Sequence, residues 1–155
     1  MYEEMDVIIK LQYVNDYKDG YPLITRESAV DWSKVTKEGV IINLLDEKKK
    51  FIAKGYYGIQ NKGHGWVLSS LIDAKIDVEY FTEKIKAALK YREDFFNDET
   101  TTAFRIFNGE GDGIGGLTID YFEGYYLITW YSIGIYALKS DILEALKSSV
   151  QYKGI

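Results

Sequence analysis

The stretch Arg105-Ile-Phe-Asn-Gly-Glu-Gly-Asp-Gly-Ile-Gly-Gly-Leu-Thr-Ile-Asp-Tyr-Phe122 decides how the rest of the chain is read. Glycine stands at 109, 111, 113, 115 and 116, with the acids Glu110 and Asp112 between. A β-patterned run enters it (Ala103, Phe104, Ile106, Phe107) and another leaves it (Leu117, Ile119, Tyr121, Phe122). So many glycines predict positive φ values, or backbone lying against something that a side chain would block. Gly111, Gly113 and Gly116 satisfy the G-x-G-x-x-G spacing, but a dinucleotide site needs a helix next, whose N-terminus holds the pyrophosphate. Strand-like Leu117-Thr-Ile-Asp-Tyr-Phe122 follows instead, which rules that reading out. Asn108, Glu110, Asp112 and Gly113 imitate the start of a calcium loop, yet Ile119 stands where a bidentate Glu belongs and no helices flank it. From the residues alone, the stretch is an irregular connection between strands 102–107 and 117–122. At least one glycine is expected at positive φ, with Glu110 or Asp112 accepting backbone hydrogen bonds.

Outward from this connection the periodicity changes on both sides. Downstream come a Glu123-Gly124 turn, a strand over 125–131, and Leu138, Ile142, Ala145, Leu146 and Ser149 at helical spacing. Upstream, apolar residues at 78, 81, 85, 88, 89, 95 and 96 form a helical stripe, with Asp77 as N-cap. Helix, three strands, helix describes an α+β unit with an antiparallel meander over 75–155. Residues 1–74 read differently, as short strands fit for a small barrel or sandwich. Val7–Val14 is expected as one strand and 15–22 as a turn-rich loop. Leu23–Val30 is ambiguous, with a strand ending near Trp32 as one reading. Val40–Leu45 and Phe51–Tyr57 form a hairpin whose tip is Asp46-Glu-Lys-Lys-Lys50. Gly58–Gly65 is expected as a loop, and Trp66–Ile72 as the next strand.

Composition narrows the function classes. The chain has 155 residues, 46% hydrophobic and 28% charged, enough to pack one ordinary domain or two small ones. Fourteen tyrosines and seven phenylalanines beside a single proline favour β structure. The absence of cysteine excludes disulfides, thiolate zinc sites and a cysteine nucleophile, and the lone His64 denies a Ser-His-Asp triad or zinc hydrolase its parts. No apolar run approaches the ~20 residues of a membrane span, and the acidic N-terminus lacks a signal peptide's apolar region, so the expected location is cytoplasmic. Net charge is −5 and unevenly spread. Residues 1–76 carry eleven basic and eleven acidic side chains, whereas 77–155 carry eight and thirteen, so any RNA contact is expected from the front half.

The wording of the glycine stretch points further. It resembles the Gly-Glu-x-Asp-Gly-Leu-Pro-Gly-Leu-x-Ile-Asp signature of a bacterial family that methylates cytosine C5 in large-subunit ribosomal RNA with S-adenosylmethionine. Gly109, Glu110, Asp112, Gly113, Gly116, Leu117, Ile119 and Asp120 match, while Gly115 replaces the usual proline and Ile114 the usual leucine. The resemblance implies a PUA-like RNA-binding domain at 1–74 and a small α+β domain at 75–155, with the Rossmann-like methyltransferase domain of the family missing. It implies ribosomal RNA as partner. S-adenosylmethionine is expected only in a full-length protein, with no cofactor and no catalysis in this chain. The residues expected to touch RNA are Lys18, Tyr21, Lys54, Lys62 and His64, although His64 reads first as a solvent-facing loop residue and the lysine tip as a solvated turn. The rival expectation is a stand-alone interaction module, with exposed aromatic residues making a homodimer or partner interface.

Overall fold

A computed structural model describes residues 2–155. Its first sheet is organised around Asp46. The Asp46 carboxylate accepts the backbone N–H groups of Lys48 (2.8 Å) and Lys50 (2.9 Å), and Lys49 takes φ +64°. That tight turn sends strand β3 (Ile41–Leu45) back as β4 (Phe51–Gln60), the hairpin expected from the sequence. With β1 (Glu4–Ile8), β2 (Leu23–Thr25) and β5 (Gly63–Ser69), they form a sheet of order β1-β3-β4-β5-β2. Only the β1–β3 pair is parallel. Just past β1 and β2, Ile9 bridges Ala29, which joins the two outer strands and closes the sheet on itself.

Two stretches of this sheet depart from the sequence reading. The run expected as one strand over 7–14 stops at Ile8, and Leu11–Lys18 forms helix α1. The reason lies across the sheet: the Ile9 N–H reaches Leu45 O at 2.8 Å, and there the Asp46 turn takes the partner strand away. Backbone beyond Ile9 has no ladder left and satisfies itself as a helix, burying Val14 and Tyr17 three residues apart. The expected loop over 58–65 is instead a tight hairpin, β4 running to Gln60 and β5 starting at Gly63. Its glycines are strand residues. A Cβ on Gly65 would strike the Tyr56 carbonyl on the neighbouring strand, so glycine here permits close pairing rather than a bend.

Beyond residue 77 the chain builds a second layer. Asp77 accepts the Tyr80 N–H at 2.9 Å and caps α2 (Val78–Tyr91), which α3 (Glu93–Asn97) follows. The single helix expected over 78–96 is thus broken at Arg92. The meander β6 (Ala103–Asn108), β7 (Leu117–Phe122) and β8 (Tyr125–Trp130) is antiparallel throughout, and the β7–β8 turn has Glu123 and Gly124 both at positive φ. A short helix α4 (Ile133–Tyr136), not anticipated, precedes α5 (Lys139–Ser149). The fold is α+β, with two separate sheets.

Strand alternation ties the layers together. Ile42, Leu44 and Tyr57 point into one core with Val14, Tyr17 and Ile24. Their neighbours Ile41 and Tyr56 point the other way, into a second core with Phe81, Ile85, Phe107, Ile119, Ile142 and Leu146. The β3–β4 hairpin therefore belongs to both cores, and the second is shared between the sheets.

Candidate nucleic-acid interface

The glycine stretch is a docking loop. Gly109–Asp112 makes one 3-10 turn, and Gly109, Gly113 and Gly116 have φ of +58°, +97° and +83°, as the glycine density predicts. Asp112 fixes its shape by accepting the Asn108 N–H at 2.6 Å. The same carboxylate receives both terminal nitrogens of Arg92 at 3.1 and 2.7 Å, a bidentate pair with each side chain 13% exposed. Arg92, where the long helix breaks, escaped the sequence reading because nothing local links it to residue 112. The loop also grips the first sheet. Tyr56 Oη donates to Gly115 O at 2.6 Å, and a Cβ on Gly115 would fall inside the Trp66 ring. Glycine at 115, where the signature carries proline, is what lets Trp66 fill that space.

Between the loop and the first sheet lies a cleft of about 460 Å³ lined by Trp66, Arg105, Asn108, Glu110, Thr118 and Tyr131 among others. Arg105 is held across its floor by Asp120 at 2.8 Å. Thr118, 7% exposed, has a buried hydroxyl without a hydrogen-bond partner among the described residues. Glu110 stays exposed, without a hydrogen bond to its carboxylate among the described residues. Of the signature residues, Asp112 and Asp120 are thus spoken for by arginines, and Glu110 faces solvent at the cleft. The stretch enters a strand, not a helix, so it does not form the helix-terminal cradle of a dinucleotide or methyl donor.

The front-half candidates do not converge. Lys18, at the end of α1, shares a groove of about 500 Å³ with Asp46, Lys48 and Lys50. Tyr21 is 47% exposed and leans on Tyr17, ring centroids 6.0 Å apart. Lys62 is exposed in the β4–β5 turn. Lys54 departs from the expected exposed cation: it is 6% exposed, and its ammonium meets Glu4 at 2.9 Å and Ala74 O at 3.0 Å. Its position in the middle of β4 explains this, since that strand is covered on both faces. His64 is likewise no loop residue. It sits in β5 against Trp32 and Tyr57, with centroids 5.0 and 5.9 Å away. Its Nδ1 is buried without a hydrogen-bond partner among the described residues.

No group of three or more His, Cys, Asp or Glu suited to hold a metal occurs among the described residues, and none of their helices is long and apolar enough to cross a membrane.

Residues 7–70 match the PUA-like domain family. The chain is 44% identical over 149 residues to the provisionally named ribosomal RNA large subunit methyltransferase YwbD of Bacillus subtilis, covering 95% of this chain and 38% of that protein. It is 27% identical over 109 residues to ribosomal RNA large subunit methyltransferase I of Serratia proteamaculans, covering 70% of this chain and 28% of that one. Among solved structures it resembles SMU.776, a provisionally assigned methyltransferase complexed with SAH, with TM-score 0.84 and 26% identity, over 94% of this chain and 37% of that one. A provisionally assigned SAM-dependent methyltransferase from Streptococcus mutans superposes with TM-score 0.83 at 26% identity, over 94% of this chain and 38% of that one. The chain spans about two-fifths of the length of the first of these relatives.

Proposed function

We propose that this chain is the RNA-recognising portion of an S-adenosylmethionine-dependent methyltransferase of large-subunit ribosomal RNA, acting in the cytoplasm. The 44% identity to YwbD over nearly the whole chain carries the reading. The PUA-like match over 7–70 and the glycine signature support it. In this reading residues 1–74 are the RNA-binding domain. Residues 75–155 are the α+β unit that holds it against the catalytic part, and cytosine C5 is the target. Methyl transfer and donor binding belong to the part of the relatives that this chain does not span, since none of the helices among the described residues follows a glycine-rich turn and the sequence has no cysteine. Exposed Lys18, Lys48, Lys49, Lys50 and Lys62 on turns and helix ends would meet phosphates, and Tyr21 would offer a ring for stacking.

Fluorescence anisotropy with fragments of large-subunit ribosomal RNA tests this. The chain should bind them more tightly than duplex DNA of equal length, with affinity falling as salt rises. Replacing Lys18 and Lys62 together by Glu should weaken binding roughly tenfold. Equal affinity for RNA and DNA, or none for either, rejects the reading.

A second reading, a protein-docking module, rests on Tyr125, Leu127 and Ile133, which are 55%, 55% and 69% exposed around the edge strand β8. Sedimentation showing self-association that Leu127→Asp abolishes would favour it.

A further inference from the structure

Where α2 gives way to α3 the sequence runs Glu93-Asp-Phe-Phe-Asn-Asp-Glu99, four acids around two aromatic residues. All seven are exposed, with Phe95 at 50% and Phe96 at 38%. The two rings do not stand alone. Phe96 packs on Phe104 and Tyr121, centroids 4.7 and 5.1 Å away, and Tyr121 continues to Tyr126 at 5.3 Å. Beside this row lies a groove of about 340 Å³. Phe96 and half-buried Tyr121 form one wall, and residues 149–151, at the end of α5, form the other. Tyr126, 5% exposed, closes its base.

No charged side chain lines the groove, but its surroundings are negative. Glu93 stands three residues before Phe96, a spacing that puts both on one side of α3. Asp98 holds the following turn through Thr100 and Thr101, whereas Glu93, Asp94 and Glu99 make no ion pair among the described residues. α5 adds its carbonyl end, where the helix dipole is negative. Arg92, the nearest cation along the chain, is spent on Asp112, and Lys90 and Lys147 are exposed without lining the groove. A phosphate would be repelled here, which separates this face from RNA. Aromatic rings at a negative rim attract a cation on an apolar stem. Guanidinium, flat and weakly hydrated, stacks on such rings better than an ammonium does.

We infer that this groove docks an arginine side chain presented by a basic segment of another protein, its guanidinium against Phe96 and Tyr121 and its flanking cations beside Glu93 and Asp94. The inference goes beyond RNA recognition and does not depend on it. Phosphates would meet the lysine-bearing turns of the first sheet, and the basic partner meets the second layer.

Fluorescein-labelled hexa-arginine, hexalysine and hexaglutamate, titrated with the full chain at about 0.15 M salt and read by anisotropy, test it. Hexa-arginine should bind saturably and roughly threefold more tightly than hexalysine, and hexaglutamate should not bind. Phe96→Leu, which removes the ring and keeps an apolar side chain, should weaken hexa-arginine binding roughly fivefold. Glu93→Lys with Asp94→Lys should weaken it by about as much, with the thermal midpoint unchanged. Glu79→Lys with Glu83→Lys, the same change of charge at the other end of α2, should leave it unaltered. Equal loss from both double variants marks unspecific attraction and overturns the site, as does indifference to Phe96→Leu or no binding of hexa-arginine. Oligo(U) binding that falls with Phe96→Leu gives the groove to RNA, and self-association that falls with it gives the groove to a second copy. Either result overturns the inference. If Phe96→Leu unfolds the chain, the comparison of the two double variants decides.

Discussion

The two sheets follow the same alternation of side chains and differ in what lies over their second faces. In β4, Ile52 to Gly58 are buried without a break, because one face meets α1 and the other meets the second layer. In β7, Leu117 and Ile119 enter the shared core, while Phe122 beyond the cleft is 47% exposed and the Asp120 side chain 20% exposed. The first sheet is therefore a middle layer, and its functional groups are confined to turns and edges. The second has an open face, on which Tyr125 and Leu127 of β8 are each 55% exposed. Lys54 and Leu127 show the contrast: the ammonium on the covered strand is consumed internally, and the apolar side chain on the open sheet is 55% exposed.

Substitutions at the contact between the sheets should hurt most. Gly115→Val drives a side chain into the Trp66 ring and should cost about 3 kcal/mol in urea unfolding. A change under ~0.5 kcal/mol would mean that the loop is not clamped on the first sheet. Arg92→Met leaves the Asp112 carboxylate half of a broken pair in a largely buried place, for a loss of about 2 kcal/mol. Gly113→Val forces a branched side chain to φ near +97° and should cost about 1–3 kcal/mol, with Lys84, its nearest neighbour, free to move aside.

Alkaline pH probes the same contact through tyrosine. Burial pushes the hydroxyls of Tyr56 and Tyr80 well above the ordinary tyrosine range, and both reach across layers, to Gly115 O at 2.6 Å and Leu68 O at 2.7 Å. Below about pH 10 folded and unfolded chains both keep these protons, and the stabilisation is complete. As pH rises past that value the unfolded chain ionises while the folded one does not, so stability falls until the folded hydroxyls also titrate. The slope should be about 1 kcal/mol per pH unit per tyrosine, and Tyr56→Phe should reduce it. A flat profile between pH 9 and 11 would separate these tyrosines from the stability of the contact.

The smallest effect is expected on the open face. Leu127→Ser, at 55% exposure, should change stability by under ~0.5 kcal/mol, which the same urea titration resolves. A larger loss would show that this face is covered after all.

Much of the architecture lay in local pattern. The Asp46 turn, the Asp77 cap, the three-stranded meander and the positive φ values of the glycine stretch each follow from residues a few positions apart, so the sequence alone determined them. Turn chemistry and periodicity act over that range, and no distant partner can veto them. Other features depended on what lay across the fold. Residues 11–18 became a helix because their strand partner turned away at Asp46, and Gly58–Gly65 became a hairpin because glycine suits close pairing as well as bending. Lys54 lost its exposure to a second layer built from residues beyond 77. Arg92 and Asp112 meet over twenty positions, and the cleft at Thr118 takes walls from both sheets. Only the tertiary structure could decide these, because burial and the pairing of polar groups are properties of surfaces brought together, which sequence spacing does not encode.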